Sequence, residues 1–336
     1  IRLTDNAGNK TTTTISDSLF YDNVLPAGSV VINNDADQTN NISVTLNMTC
    51  DDGGDALTDS GCATVEYSID AGGSWTPATP QPISDGSFDT TDFILDTDDP
   101  LLDGIKDIQI RLTDAAGNSE IFTDEILYDD NAPTVTFVIN GDDLYTNVVG
   151  VTLDISCDDL GSGCDYVEYS NNGTDFDAVT GDLTGQTPGG GAIVIAPDGN
   201  LSAGDETKTV TIRAWDKAGN STTVTDTILY DSTDPHGDIE IDGGATYDND
   251  GDVALSANCY DDGQAENSGC ALIEYSNNGT NWIDSDLFAS NPMTRANWAI
   301  DTSVQGDRYV YIRLTDNAGN KTTTTISDSI FYDNVL

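Results

Sequence analysis

The sequence predicts an all-β fold arranged as an extended tandem array of β-sandwich domains. Two observations support this prediction. Val, Ile, Leu and Tyr occur in short runs within a hydrophobic fraction of 37%, and the turn formers Gly, Asp, Asn, Thr and Ser separate these runs. The same pattern also recurs along the chain, and no segment has the periodicity of a long amphipathic helix.

The clearest repeat is a strand–turn–strand segment that occurs four times. Each copy contains an Ala-Gly-Asn turn, which is expected to reverse the chain as a hairpin, and ends in Tyr. The copies cover residues 1–21, 110–128, 212–230 and 312–332. Three of them follow a second block, in which a close pair of cysteines precedes the sequence Glu-Tyr-Ser.

A proline opens each complete unit, at Pro26, Pro133 and Pro235, so the units are 107, 102 and 102 residues long. This is the size of an immunoglobulin-type sandwich. We therefore expect three immunoglobulin-like domains at 26–132, 133–234 and 235–336, with residues 1–25 as the last two strands of a preceding domain.

The sequence also repeats with a longer period, which spans three of these units. Residues 1–25 match residues 312–336 at every position except Leu19, which Ile330 replaces, and the offset is 311 residues. The expectation is that this segment is a window in a longer array of three-domain copies, with any export signal outside it. The alternative is that residues 1–25 complete a neighbouring subunit by strand donation.

In the predicted domain at 133–234, the alternation of apolar and polar residues predicts the strands. Residues 134–139 form a first strand, and Val151, Leu153, Ile155 and Cys157 form the buried face of the next. Residues 222–230 return from the hairpin. The Gly-rich stretch 181–204 gives no clear strand pattern.

Six cysteines predict one disulfide within each domain, and such bonds indicate an oxidising, extracellular compartment. The pairs are Cys50 with Cys62, Cys157 with Cys164, and Cys259 with Cys270. Loops this short stabilise a domain by about 2–3 kcal/mol each on the chain-entropy model. A zinc site is disfavoured, because the single histidine, His236, leaves each pair without a third and fourth ligand.

Charge excludes several classes of partner. Eleven basic and 59 acidic residues give a net charge of −48, so the chain should repel nucleic acid and anionic membranes. No apolar run is long enough to insert into a bilayer. Three explanations of the charge remain: a saline habitat, bound divalent cations, and the solubility of an exposed fibre.

Aspartates collect in the linkers after each repeat and in the hairpin turns, where they could bind Ca²⁺. The candidate ligands are Asp22, Asp129, Asp130, Asp231, Asp234, Asp114, Asp216 and Asp316. The last three have a second interpretation, since Asp often caps a turn by accepting backbone amides. The disulfide loops add Asp51, Asp52, Asp158, Asp159, Asp261 and Asp262. None of these sequences has EF-hand spacing.

The outward faces of two neighbouring strands carry opposite charges at equivalent positions. Cross-strand pairs are expected between Glu66 and Arg111, Glu168 and Arg213, and Glu274 and Arg313. Such exposed pairs contribute less than about 1 kcal/mol each.

Glycosylation and catalysis have little support in the sequence. Asn-x-Ser/Thr sequons permit glycosylation at Asn41, Asn47, Asn172, Asn200 and Asn278. The chain is not expected to be an enzyme, because His236 stands beside no nucleophile motif and the carboxylates are too numerous to single out an acid–base pair.

The block around each cysteine pair, followed by Arg-Leu-Thr-Asp-x-Ala-Gly-Asn and a Tyr-Asp-x-x-x-Pro linker, resembles bacterial and archaeal immunoglobulin-like (Big-type) tandem repeats of large surface adhesins and extracellular filaments. The resemblance implies a cell-surface or secreted segment that extends, as a stalk or fibre, with neighbouring copies of the same repeat as end-to-end and possible lateral partners. It also implies calcium at domain junctions, which here falls on the linker aspartates. The close cysteine pair is not general to such repeats.

Two alternatives to the filament or stalk remain: an adhesin module that binds a glycan or protein, and an accessory segment of a secreted enzyme. A binding module should carry divergent, aromatic-rich loops in one domain. Here Trp75, Phe176 and Trp282 occupy the same repeat position. That recurrence predicts core residues, and the 311-residue period is not expected of an accessory segment.

Overall fold

The computed structural model describes the chain except residues 1, 12–16, 18, 20, 54–59, 82, 96–102, 179–192, 203, 263–265 and 336, and it describes only the backbone of residues 193–200. All regular elements of the described residues are β-strands. The chain forms two compact units. The first comprises Ile1–Ala132 with the loops Asp159–Gly163 and Asp216–Asn220, and the second comprises Pro133–Asp158, Cys164–Trp215 and Ser221–Leu336.

The first unit contains one set of eight strands, here called the first sandwich. The strands are β1 Ala27–Ile32, β2 Gln38–Thr39, β3 Ser43–Asp51, β4 Cys62–Ser68, β5 Thr76–Pro77, β6 Gly86–Ile94, β7 Gly104–Asp114 and β8 Ser119–Tyr128.

The second unit contains the strands of two further sets, the second and third sandwiches. The second has β9 Thr134–Ile139, β10 Tyr145–Thr146, β11 Gly150–Asp158, β12 Cys164–Ser170, β13 Asp177–Ala178, β14 Ile193–Asn200, β15 Glu206–Asp216 and β16 Ser221–Tyr230. The third has β17 His236–Ile241, β18 Tyr247–Asp248, β19 Asp252–Tyr260, β20 Cys270–Ser276, β21 Asp284–Leu287, β22 Met293–Ala299, β23 Gly306–Asp316 and β24 Ile326–Tyr332.

All three sets have the same topology. In the first, a three-stranded sheet β1-β3-β6 packs on a five-stranded sheet β2-β8-β7-β4-β5, and the other two sets repeat this order. Long neighbouring strands pair antiparallel, and a two-residue strand adds a parallel edge to the last strand of each set. The domain limits predicted at Pro26, Pro133 and Pro235 stay predictions.

Each set has its own apolar core, formed where alternating residues of the two sheets face each other. Leu46, Ile110 and Leu112 are fully buried in the first, and Ile212 and Ile312 hold the position of Ile110 in the second and third. The strand at 134–139 and the buried face of β11 agree with the prediction from alternation. In the region 181–204, which gave no clear pattern, β14 is the described strand.

The disulfides join the two sheets at one end of each sandwich. Cys50 lies near the end of β3, in the three-stranded sheet, and Cys62 opens β4, in the five-stranded sheet; their Cα atoms are 6.4 Å apart. The bonds Cys157–Cys164 and Cys259–Cys270 repeat this position. All six cysteines are therefore bonded as the spacing predicts, and each bond closes a short loop whose contents matter below.

The third sandwich differs from the first two in its last strand. In the first, β7 and β8 pair without a shift from Gly104 to Thr113. In the third, regular pairing of β23 with β24 stops at Ile312 and Ile326, and an isolated bridge joins Thr315 to Lys321. Two extra residues in the Thr322–Thr325 run cause this bulge, because Asn320 precedes Tyr332 by 12 positions and Asn118 precedes Tyr128 by 10.

Candidate metal centre

The first component of the candidate site is the aspartate that follows the last strand of a repeat. Asp129 follows β8 and Asp231 follows β16, and both are fully buried although they are charged residues. In each, Oδ1 accepts the amide of the residue two positions on, at 3.1 Å. This local turn points the other oxygen, Oδ2, away from the linker. Asp22, which follows Tyr21, makes the same turn with the amide of Val24 at 3.0 Å.

The second component is the disulfide loop, which receives that Oδ2. The amides of Ser60, Ser162 and Ser268 donate to Oδ2 of the three linker aspartates at 2.9, 2.6 and 2.7 Å. These serines stand two residues before the second cysteine of each pair. Gly161 lets the loop come close, because a Cβ there would lie 2.3 Å from Oδ2 of Asp129.

Each loop also supplies an aspartate of its own, two residues after the first cysteine: Asp52, Asp159 and Asp261. Their Oδ2 atoms accept the amides of Gly61, Gly163 and Gly269 at 2.5–2.8 Å. These glycines have φ near +80°, a conformation that other residues rarely adopt, and this conformation belongs to the turn that presents the amide. The three loop aspartates are all buried.

The third component is the hairpin turn. Oδ1 of Asp316 accepts the amides of Gly319 and Asn320, and its Oδ2 accepts the side-chain amide of Asn320 at 2.7 Å. Asp114 and Asp216 make the same three bonds. The turn-capping interpretation therefore describes these bonds, and the capping carboxylates are buried beside the other two components.

Hydrogen bonds tie the three components to one another. Nδ2 of Asn320 donates to the backbone carbonyl of Asp231 at 2.9 Å, so the hairpin holds the linker. The hydroxyl of Ser268 accepts the amide of Ala318 at 3.1 Å, so the hairpin also holds the disulfide loop. The equivalent bonds recur at the other two sites.

These contacts bring three carboxylates together at each of three places. The groups are Asp22 with Asp52 and Asp114, Asp129 with Asp159 and Asp216, and Asp231 with Asp261 and Asp316. Within each group, one oxygen from every member lies within 4.8 Å of the others. That limit is about twice the ~2.4 Å Ca²⁺–oxygen distance, so three such oxygens can share one calcium ion.

Without a cation, ionisation is unfavourable in the group Asp231, Asp261 and Asp316, as the pKa values of Asp261 and Asp316 show. Burial, followed by the negative charge of Asp231, raises the pKa of Asp261 from 3.8 to about 6. Burial also raises the pKa of Asp316 and of Asp159. A carboxylate that is desolvated beside like charges favours its protonated form, and a divalent cation would reverse that preference.

An oxygen of Asp261 supports the metal interpretation independently. The side chain is 8% exposed, and its buried Oδ1 has no hydrogen-bond partner among the described residues. A buried carboxylate oxygen without a donor is costly unless a cation satisfies it. The donor set is hard oxygen throughout, which suits Ca²⁺.

Six of the eight aspartates that the sequence nominated belong to these groups. Asp130 and Asp234 do not, and both are exposed. The sequence shows that the disulfide loops are acidic, but it did not predict that one aspartate of each loop belongs to the site. The signal was available in the repeated Cys-x-Asp and Ser-Gly-Cys motifs that bracket every loop.

Glu66 lies directly opposite Arg111 in its sheet, and Glu274 lies directly opposite Arg313, as predicted. The carboxylate–guanidinium distances are 2.5 Å for Glu66–Arg111, 2.6 Å for Glu168–Arg213 and 2.7 Å for Glu274–Arg313. An aromatic ring covers each guanidinium, with Trp75, Phe176 and Trp282 at 4.4, 4.0 and 4.7 Å. The prediction that these rings are core residues is wrong, because they are half-buried on the outer face and pack on arginine.

The remaining nominated residues lie elsewhere on the surface. Asn41, Asn172 and Asn278 are exposed, Asn47 is half-buried, and Asn200 ends β14. His236 is exposed and its Nε2 lies 3.5 Å from Asp262.

Comparison with known proteins finds no matching family model and no matching curated protein. Solved structures show similarity at low sequence identity. A tetra-tandem repeat from the extending region of a large adhesion protein is 17% identical, with a TM-score of 0.29 over 92% of this chain and 74% of that one. A region of a 1.5-MDa bacterial ice-binding adhesin is 18% identical, with a TM-score of 0.40 over 92% and 98%. Fibronectin(III)-like modules of Clostridium thermocellum CbhA are 14% identical, with a TM-score of 0.35 over 59% and 93%.

The sheet topology itself makes the described chain an all-β array of tandem immunoglobulin-like sandwiches. The described part of the chain contains no helix with the length and apolar character needed to cross a membrane.

Proposed function

We propose that this chain is a structural segment of an extracellular filament or cell-surface stalk, in which calcium ions hold successive repeats together. The observation that carries the proposal is the recurrence of one three-aspartate group at three successive linkers. Each group takes one residue from a linker, one from the following disulfide loop and one from the following hairpin. A cation bound there would fix a linker to the repeat that follows it.

The period of the sequence supports a role in which length matters. Residues 1–25 recur at 312–336 with a single conservative change, and the three sandwiches keep one topology. A part that extends gains from near-identical copies, since each copy must stack on the next in the same way. Neighbouring copies of the repeat are therefore the proposed partners.

The disulfides support an extracellular location. All six cysteines are bonded within short loops, and such bonds persist in oxidising compartments. The net charge of −48 also suits a surface exposed to cation-rich medium.

Calcium titration of chelator-stripped protein, followed by isothermal titration calorimetry, tests this proposal. Wild-type chain should bind three ions, and Asp231→Asn should bind two. Asp234→Asn, three positions along the same linker and exposed, is the matched control and should bind three. The proposal fails if wild-type protein binds no calcium, or if the two variants bind equally.

A further inference from the structure

The two sheets of the first sandwich leave a cavity between their edge strands, β5 and β6. Its volume is about 360 Å³, and the residues that line it include Tyr67, Phe93, Thr79, Thr91 and Asp92. Tyr67 and Phe93 pack edge to face, with their ring centroids 4.8 Å apart. Ligand pockets span roughly 300–1,000 Å³, so this cavity is large enough for a small ligand. It combines two aromatic rings with hydroxyls and a carboxylate.

The third sandwich fills the equivalent place with one of its own side chains. In the strand registers, Arg295 on β22 holds the position of Thr90 on β6. The Arg295 guanidinium lies over the rings of Tyr275 and Trp298, at 5.1 and 5.2 Å from their centroids. Tyr275 is fully buried there, whereas its counterpart Tyr67 is only half-buried. The place beside these rings therefore accepts a flat group that stacks on them.

The surroundings of the cavity exclude a cation as its ligand. Arg295 is neutralised by two carboxylates, since its guanidinium donates to Asp284 and, at 2.9 Å, to Asp286. Thr76 and Ala78 hold these two positions in the first sandwich. A cation that is buried without paired carboxylates is costly, so a guanidinium or ammonium group does not suit the cavity.

A neutral ring that carries several hydroxyls fits the remaining conditions. An anion would be repelled by Asp92 and by the net charge of −48. The C–H groups on one face of a pyranose ring pack against the electron-rich faces of aromatic rings such as Tyr67 and Phe93. The hydroxyls of the sugar can donate to the Asp92 carboxylate and exchange hydrogen bonds with the Thr91 hydroxyl.

We propose that the cavity between β5 and β6 of the first sandwich binds a neutral pyranose sugar. Tyr67 and Phe93 hold the face of the ring, and Asp92 accepts hydrogen bonds from its hydroxyls. None of the residues that line the cavity belongs to a three-aspartate group. Sugar binding is therefore a separate activity, which requires neither the calcium ions nor assembly into a filament.

Saturation-transfer NMR on the full chain tests this proposal, with the methyl glycosides of glucose, galactose, mannose and N-acetylglucosamine as probes. At least one should bind, whereas N-acetylneuraminic acid and N-acetylarginine amide should not. Thr76→Asp, Ala78→Asp and Thr90→Arg together transfer the Arg295 closure to the first sandwich, and this closed variant should bind at least about tenfold more weakly. The proposal is overturned if no neutral glycoside binds, if a charged probe binds, or if the closed variant loses less affinity than this.

Asp92→Asn is a second variant that requires no repacking. Asn297 holds the equivalent position in the third sandwich with a φ of 59°, beside 55° for Asp92, so asparagine suits this backbone. Loss of the charged acceptor should weaken sugar binding about tenfold. Asp89→Asn, an exposed residue of β6 outside the cavity, is the matched control and should bind as wild type. Equal affinities of Asp92→Asn and wild type, with unchanged melting temperatures, would contradict the assignment.

Discussion

At the scale of single residues, the chain combines two uses of aspartate that sequence motifs treat as alternatives. Asp316 caps its hairpin with three hydrogen bonds and also belongs to a group of three carboxylates. Capping fixes the carboxylate plane and uses the lone pairs that face the turn. The cap therefore orients the ligand, as outer hydrogen bonds orient ligands in known metal sites.

The first prediction at this scale concerns Asp261 and the dependence of stability on pH. Its pKa in the folded state is about 6, raised from 3.8, so the folded protein holds a proton there that the unfolded chain releases. Below about pH 4, Asp261 therefore does not lower the free energy of unfolding. As the pH rises from about 4 through 6, ionisation of Asp261 lowers the free energy of unfolding by ~3 kcal/mol at most. Ion-free protein should lose stability over that range.

Asp261→Asn should flatten that pH dependence and raise the free energy of unfolding of ion-free protein at pH 7 by about 1–3 kcal/mol. With saturating calcium, the same variant should be less stable than wild type, because it has lost a charged ligand. Urea unfolding at several pH values, with chelator or calcium, measures both effects. Asp234→Asn should behave as wild type in both media. A variant that is destabilised equally in both media would show that Asp261 has no role in ion binding.

At the scale of elements, the disulfide loop is the part that assembles each site. It is anchored on the core by the cysteine pair and gives one carboxylate, one serine amide and one glycine amide to the group. The bond Cys157–Cys164 spans only seven positions, so the loop has few conformations even before the repeat folds. This preorganisation reduces the entropy lost when three carboxylates are held together.

Replacing both Cys157 and Cys164 with serine should destabilise the second sandwich by about 2–3 kcal/mol. The same change should weaken calcium binding at the group that contains Asp159, because the loop that carries it gains freedom. The other two groups serve as internal controls, since their disulfides remain. Calcium titration should therefore resolve two unchanged sites and one weakened site. Three unchanged sites would mean that the disulfide only stabilises the fold.

How much of this could be predicted from the sequence depends on the range of the interaction. Alternation along β9 and β11 and the cysteine spacing are local patterns, so the strands and bonds followed from them. The groups could not be assembled in this way, because Asp129 and Asp216 are 87 positions apart and meet only through the fold. Trp282 was misplaced for a related reason: recurrence marks a constrained position, and contact with an arginine constrains a ring as burial does.

At the scale of the whole molecule, two kinds of interaction stabilise different parts of the chain. The apolar cores stabilise the sandwiches, and the aspartate groups act at the linkers. Each apolar core is confined to one sandwich, so hydrophobic burial stabilises repeats singly. Each aspartate group instead joins one residue of a linker to two residues of the repeat that follows it. The cores should therefore tolerate removal of divalent cations, whereas the linkers should respond to it.

Removal of calcium from the native assembly with a chelator should change the linkers and leave the apolar cores intact. In calcium, electron microscopy should show continuous, straight fibres or stalks with an axial repeat set by three domains. With chelator, the same material should become bent and irregular, because each linker loses its cation and its three carboxylates repel. The melting temperature should fall while the far-UV circular dichroism at 25 °C stays that of β-sandwiches, since the cores do not depend on the ion. Sodium chloride at equal ionic strength controls for charge screening. Isolated globular particles in calcium would contradict a filament, and unchanged fibres with chelator would remove the ion from its role in the linker.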